Sequence, residues 1–80
     1  MRTLICHNET HDVVSVHIST NPSTLNEKMR REYQNELACV EDEGYDLNSI
    51  DCDFSEGCDA HIIVSDDYAY YWQIVSATEV

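Results

Sequence analysis

The chain has 80 residues and a mass of 9.2 kDa, which is enough for one small domain with a modest core. Sixteen acidic residues against four Lys and Arg give a formal net charge of −12. This charge repels the backbone of DNA and RNA and anionic membranes, so direct nucleic-acid binding is excluded. No apolar run reaches the about 18 residues that a membrane span needs. The N-terminal residues 1–7 are too polar for a signal peptide, so we expect a cytoplasmic protein whose four cysteines are reduced.

Four strands are predicted from runs of β-branched and aromatic residues. Residues 3–7 and 13–18 indicate a β-hairpin around a polar turn. Residues 61–65 and 68–75 indicate a second pair of strands, joined by a turn at 66–67. The second pair places Trp72 on one face together with alternate residues of its strand.

One helix is predicted between the two pairs of strands. Thr24 or Ser23 is the expected N-terminal cap, and Gly44 is the expected stop. Residues 45–60 show no sustained period and are predicted to be a loop held by a few apolar side chains. Apolar residues at helical spacing form a stripe: Leu25, Met29, Tyr33, Leu37 and Val40.

The order β-β-α-β-β predicts an α+β fold, with a small antiparallel sheet and one helix packed on a face. We expect a single compact domain over residues 1–80. The expected core combines the helical stripe with one face of the strands: Leu25, Met29, Leu37, Val14, Val16, Ile18, Ile63 and Trp72.

The acidic residues are concentrated after residue 31. Residues 1–31 hold four basic and three acidic residues, a net charge of +1, whereas residues 32–80 hold thirteen acids and no Lys or Arg. Solubility alone requires a net charge with a magnitude of only about 2–8 in a small domain. We therefore predict that the densest group, which contains no basic residue, binds a partner: Glu41, Asp42, Glu43, Asp46, Asp51, Asp53, Glu56, Asp59, Asp66 and Asp67. Glu9 and Glu79 lie outside this group in the sequence.

Carboxylates at this density can imitate the phosphates of nucleic acid. Two carboxylates two positions apart in an extended segment, such as Asp51 and Asp53, are about 6.5–7 Å apart. This is a suitable separation for occupying sites meant for neighbouring phosphates. The implied partner is a basic nucleic-acid-binding protein or complex.

Metal binding is a competing hypothesis, since the chain has four cysteines and four histidines. The cysteines Cys6, Cys39, Cys52 and Cys58 contain no pair at the close spacing that structural zinc sites use. Cys52, Cys58 and His61 could still converge, with Cys6 or His7 as a fourth ligand. We expect four free thiols, no metal and no cofactor.

Catalysis and salt adaptation are two further hypotheses for this composition. The chain has no glycine-rich phosphate loop, and a domain this short has little room for both a core and a pocket of roughly 300 Å³. We therefore expect a protein that is not an enzyme. Salt-adapted proteins are also acidic and poor in lysine, but they spread their acids evenly.

In size, charge and predicted build, the chain resembles the small acidic anti-CRISPR proteins that phages encode against type I surveillance complexes. No sequence motif carries this resemblance. It implies a cytoplasmic inhibitor in the infected host cell, whose groups Glu41-Asp42-Glu43, Asp51-Cys52-Asp53 and Asp66-Asp67 sit against basic residues that grip target DNA. The basic cluster Lys28, Arg30 and Arg31 departs from the simplest version of this class and leaves a second contact open.

Overall fold

The computed structural model describes residues 2–76 and confirms the α+β class. Within this range the chain forms five strands and one helix: β1 (Arg2–Asn8), β2 (Val13–Ser19), α1 (Pro22–Asp42), β3 (Asp51–Ser55), β4 (Asp59–Ser65) and β5 (Tyr68–Ser76). The strands form one antiparallel sheet in the order β2-β1-β5-β4-β3. α1 covers one face of this sheet, and no other helix or strand formed by residues 2–76 covers the second face, which we call the open face.

The structure has one strand more than the four predicted. This strand, β3, forms within residues 45–60, where a loop was expected. β3 pairs antiparallel with β4, from Asp51 opposite Ile63 to Ser55 opposite Asp59. Only two of its five residues, Cys52 and Phe54, are apolar and partly buried. The β-hairpin with β4 determines this strand, because its own sequence has too few β-forming residues to predict one.

The start of α1 differs from the predicted cap. Asn21 is the N-cap, and its side chain accepts a hydrogen bond from the Ser23 N–H at 3.0 Å. Asn is as good a cap as Ser or Thr, and Pro22 fits the first helical position, where no N–H is needed. The helix ends as predicted before Gly44, which has a φ of +99°. No helix in residues 2–76 is long and apolar enough to cross a membrane.

The core lies between α1 and the face of the sheet that it covers. Trp72 is buried as predicted, and its Nε1–H donates a hydrogen bond to Glu32 of α1 at 3.2 Å. Leu37 is only partly buried and packs at the margin of this core. The fully or nearly fully buried residues are Leu4, Cys6, Leu25, Met29, Val40, Ala60, Ile62 and Trp72.

The predicted core face of β2 is wrong. Val14, Val16 and Ile18 are 54%, 50% and 63% exposed. Alternation separates the two faces of a strand but does not say which face is covered. The register places His17 beside the buried Leu4, and His17 pairs with Glu32 of α1 at 3.2 Å, so the polar face of β2 lies under the helix.

Ile63 is the fourth residue that the structure removes from the predicted core. It is only partly exposed but lies opposite Ala69 on the open face of the sheet. Its neighbour Ile62 takes the buried place under α1. β4 contains two adjacent isoleucines, and its alternation alone could not decide between them.

Candidate protein-binding site

The directions of α1 and the strands bring most of the acidic residues to one end of the molecule. α1 begins just after β2 and runs along the sheet, spanning about 31 Å at the usual helical rise. Its last turns lie at the β4–β5 turn, where the Tyr68 hydroxyl donates a hydrogen bond to Glu36 at 3.4 Å. The ring of Tyr45, just after the helix, packs against the Tyr68 ring with their centres 5.9 Å apart. The β1–β2 turn lies at this end as well, because β1 is antiparallel to β5.

We call this end of the molecule the acidic end. The described Lys and Arg residues lie elsewhere: Arg2 begins β1 at the opposite end, and the other three are in the first half of α1. The end therefore presents negative charge that no lysine or arginine at the same end offsets. Its nine carboxylates are Glu9, Asp12, Glu36, Glu41, Asp42, Glu43, Asp46, Asp66 and Asp67.

The structure brings together six of the ten predicted binding residues and separates the other four. The six at the acidic end are all exposed: Glu41, Asp42, Glu43, Asp46, Asp66 and Asp67. Asp51 and Asp53 lie along β3, the edge strand of the sheet, and are exposed on its open face. Glu56 and Asp59 lie at the β3–β4 turn, which is at the opposite end of the sheet.

The expectation that these carboxylates have no cationic partner is wrong for Glu56. Arg30 of α1 forms an ion pair with Glu56 and also lies 3.7 Å from Glu27. Asp51 has a partner as well, because the His61 Nε2 lies 3.0 Å from its carboxylate. Glu56 is therefore partly neutralised, whereas among residues 2–76 no ion pair is found for the six exposed carboxylates of the acidic end.

The acidic end also contains three carboxylates that were not among the predicted binding residues: Glu9, Asp12 and Glu36. Glu9 and Asp12 belong to the β1–β2 turn, and the pairing of β1 with β5 carries this turn to the same end. Glu9 was expected to lie outside the cluster, and the structure corrects this. Glu36 precedes Glu43 by two helical turns, a spacing that could have been found in the sequence. Glu79 lies outside the described residues.

Local hydrogen bonds hold the turns that carry these acids. The Asn8 side chain accepts hydrogen bonds from the N–H groups of Thr10 and Asp12, both at 3.0 Å. The Asp46 carboxylate accepts one from the Asn48 N–H at 3.0 Å, and the Ser65 hydroxyl accepts one from the Asp67 N–H at 3.3 Å. The carboxylates are therefore presented from ordered turns.

Glu36 and Tyr68 occupy the inner side of the acidic end. Burial raises the pKa of Glu36; the hydrogen bond from Tyr68 opposes this shift and the charge of Glu43 adds to it. Burial also raises the pKa of Tyr68, and the neighbouring carboxylates of Glu43 and Glu36 raise it further. The phenol therefore stays protonated and donates its hydrogen bond to Glu36.

The hypothetical metal site is not assembled in the structure. All four cysteines are free. Cys52 lies on the side of the sheet that faces α1, whereas His61 lies on the open face beside Asp51. Among residues 2–76 no three His, Cys, Asp or Glu side chains are grouped so that they could hold a metal ion.

One surface concavity, of about 250 Å³, reaches the inner side of the acidic end, where Glu36 and Tyr70 are among the residues that line it. Another concavity has a volume of about 440 Å³, more than the sequence led us to expect, and runs along the exposed side of α1. It is lined by Ser23, Thr24, Glu27, Lys28 and Arg31. All five come from the first half of α1, so no second element closes over this groove. The exposed carboxylates of the acidic end form an array of negative charges beside the exposed ring of Tyr45.

No protein-family model, curated protein or solved structure matches this chain.

Proposed function

We propose that the protein is a non-enzymatic inhibitor that binds a nucleic-acid-handling complex through its acidic end. The observation that carries this proposal is the separation of charge: nine carboxylates share one end, while the described Lys and Arg residues lie elsewhere. Salt adaptation would favour an even spread of acids over the surface. A surface of one sign instead fits a partner whose surface has the opposite sign.

The chemistry of the acidic end suits a groove lined with lysine and arginine. Such a groove attracts phosphates, and carboxylates on ordered turns can take the same positions. The charge of the whole molecule accelerates encounter with a basic partner by roughly 10–10³-fold at low salt. Tyr45, 44% exposed, adds an aromatic anchor beside the charges. Asp51 and Asp53 extend the negative surface along the edge strand.

The class of partner proposed is a type I CRISPR surveillance complex, so the protein would act as an anti-CRISPR in the cytoplasm of the host cell. Occupation of the surface that grips target DNA would block DNA binding. The four free thiols take no part in this mechanism.

Competition between the protein and DNA tests the proposal. Purified type I surveillance complex is captured on the immobilised protein, and duplex target DNA is then added at increasing concentration. We expect DNA to displace the complex, and the complex already loaded with DNA not to bind. A DNA of unrelated sequence is the control for simple charge screening.

The salt dependence of the affinity for the complex provides a second test in the same assay. Affinity should fall as salt rises, mainly through slower association, because exposed charges are screened beyond about 8 Å at physiological ionic strength. A complex that binds DNA and the protein at the same time, each with unchanged affinity, would contradict the proposal.

A further inference from the structure

β2 is rich in exposed hydrophobic residues. Of the five large hydrophobic residues that are exposed among residues 2–76, four belong to this strand: Val13, Val14, Val16 and Ile18. Val16 lies opposite Ile5 and Ile18 lies opposite Thr3 on the open face of the sheet. The exposed valine and isoleucine thus continue an apolar patch that begins on β1.

β2 is also an edge strand, and beyond a bulge near its start it lacks the usual protection against pairing with another strand. Natural edge strands discourage pairing with charges, prolines or a short length. β2 has seven residues, none of which is charged or proline. The opposite edge, β3, has five residues and carries the exposed Asp51 and Asp53. The bulge between β1 and β2 lies near Val13 and leaves Ser15 to Ser19 in continuous register.

We propose that β2 pairs antiparallel with β2 of a second copy of this chain, about a two-fold axis through Val16. In this register the regular part of β2 pairs around the axis: Val16 faces Val16, and Ser15 faces His17 of the second copy. It joins the apolar patches of the two open faces across the axis. The two five-stranded sheets become one continuous sheet.

The distribution of charge favours a second copy of the chain as the partner and an antiparallel pairing of the two β2 strands. It does so although each copy has a net charge of −12. β2 itself contains no Asp, Glu, Lys or Arg, so the two strands meet without repulsion between such residues. In the antiparallel register, Asp12 at the start of one β2 comes next to the end of the other, where Arg2 lies beside Ser19. Two strand spacings, about 10 Å, separate the backbones at this point, so an arginine side chain can bridge much of the gap. The acidic ends point away from each other, and Asp12 is the one carboxylate of each end that lies at this contact.

Engineered cysteines test the register directly. In a background with Cys39→Ser, Cys52→Ser and Cys58→Ser, we expect Val16→Cys to form a disulfide-linked dimer under mild oxidation. Residues opposite each other on antiparallel strands have Cα atoms about 4.5–5.5 Å apart, within the about 4.4–6.8 Å that a disulfide spans. Ile18→Cys is the matched control, since its two copies would be about 13–14 Å apart along the strands. Equal yields of dimer from both variants, or none from Val16→Cys, would overturn the proposal.

Sedimentation equilibrium of the unaltered chain provides the second test. We expect a dimer that dissociates on dilution, and Val16→Lys to weaken it by at least about tenfold, because two like charges then meet on the axis. Ser55→Lys, which adds the same charge to the edge strand β3, should leave the dimer unchanged. Circular dichroism confirms that both variants fold, since both positions are exposed. A chain that is monomeric at all concentrations, or a dimer disrupted equally by both variants, would overturn the proposal.

Discussion

Glu36 contributes to the acidic end and also affects the stability of the fold. It lies on the inner side of the acidic end, where the Tyr68 hydroxyl donates a hydrogen bond to it. Burial raises its pKa above the ordinary value of 4.5. A carboxyl whose pKa is higher in the folded than in the unfolded state stabilises the fold only while it is protonated, and this contribution is lost as pH rises through the folded pKa.

Glu36→Gln should therefore stabilise the protein at neutral pH. The glutamine carbonyl can still accept the Tyr68 hydrogen bond, but no charge has to be desolvated. The gain in the free energy of unfolding should be absent below the ordinary pKa of a glutamate and should grow as pH rises through the folded pKa of Glu36. Urea unfolding at a series of pH values measures this difference.

Asp67→Asn is the matched control for Glu36, because it removes one charge from the same end at an exposed position. It should give a smaller gain from reduced repulsion alone. The same pH dependence in both variants would show that burial of Glu36 has no special effect.

The orientation of α1 places negative charge at the unfavourable end of a helix. The last turn contains no basic residue, the first turn contains no acidic residue, and Glu41 and Asp42 close the helix. The C-terminal end of a helix carries partial negative charge, so acids there cost stability. We interpret this cost as the consequence of using the helix end to present carboxylates.

Removing these charges should have opposite effects on stability and on binding. Asp42→Asn is expected to raise the free energy of unfolding by about 0.3–1 kcal/mol at low salt, and to weaken binding of the partner. Glu27→Gln, on the same helix, should instead lower stability slightly, since it breaks the contact with Arg30. Thermal unfolding at low and high salt measures the change in stability of both variants. A loss of stability in Asp42→Asn would contradict this interpretation.

The packing of α1 gives a second test at the scale of the element. Met29 is fully buried, whereas Leu37 is only partly buried at the margin of the core. Met29→Ala should cost about 2–5 kcal/mol of unfolding free energy, and Leu37→Ala clearly less. Gln34→Ala, on the exposed side of the helix, is the control and should stay within about 0.5 kcal/mol. Urea unfolding that gave Leu37→Ala the larger cost would mean that the helix is rotated.

The sequence predicted the helix, four of the strands and the burial of Trp72, because periodic patterns and caps are local signals. It could not predict which face of β2 is covered, since Val16 and His17 alternate in the same way whichever side α1 occupies. It also missed β3, whose pairing with β4 is a tertiary contact. The acidic end was predicted in part: Glu41 and Asp67, which the sequence placed in one group, lie at the same end of the fold, but Glu9 joins them only through the pairing of β1 with β5.

At the scale of the whole molecule, the fold separates some acidic residues that lie close together in the sequence. Residues 32–80 hold thirteen acids and no Lys or Arg, yet Glu56 and Asp59 end up far from Asp66 because the strand β4 separates them. The self-repulsion of a net charge of −12 destabilises a compact domain. Concentrating the acids at one end increases this cost, which fits a surface retained for binding.

The affinity of charge-reversal variants for the surveillance complex tests this central claim most directly. The pair Asp66→Lys and Asp67→Lys, made together, changes the acidic end, and the pair Glu56→Lys and Asp59→Lys makes the same change of charge at the opposite end. We expect the first pair to cost several kcal/mol in binding, because like charges would face each other, and the second pair to cost much less. Equal effects of the two pairs, or no effect of the first, would contradict the proposed role of the acidic end.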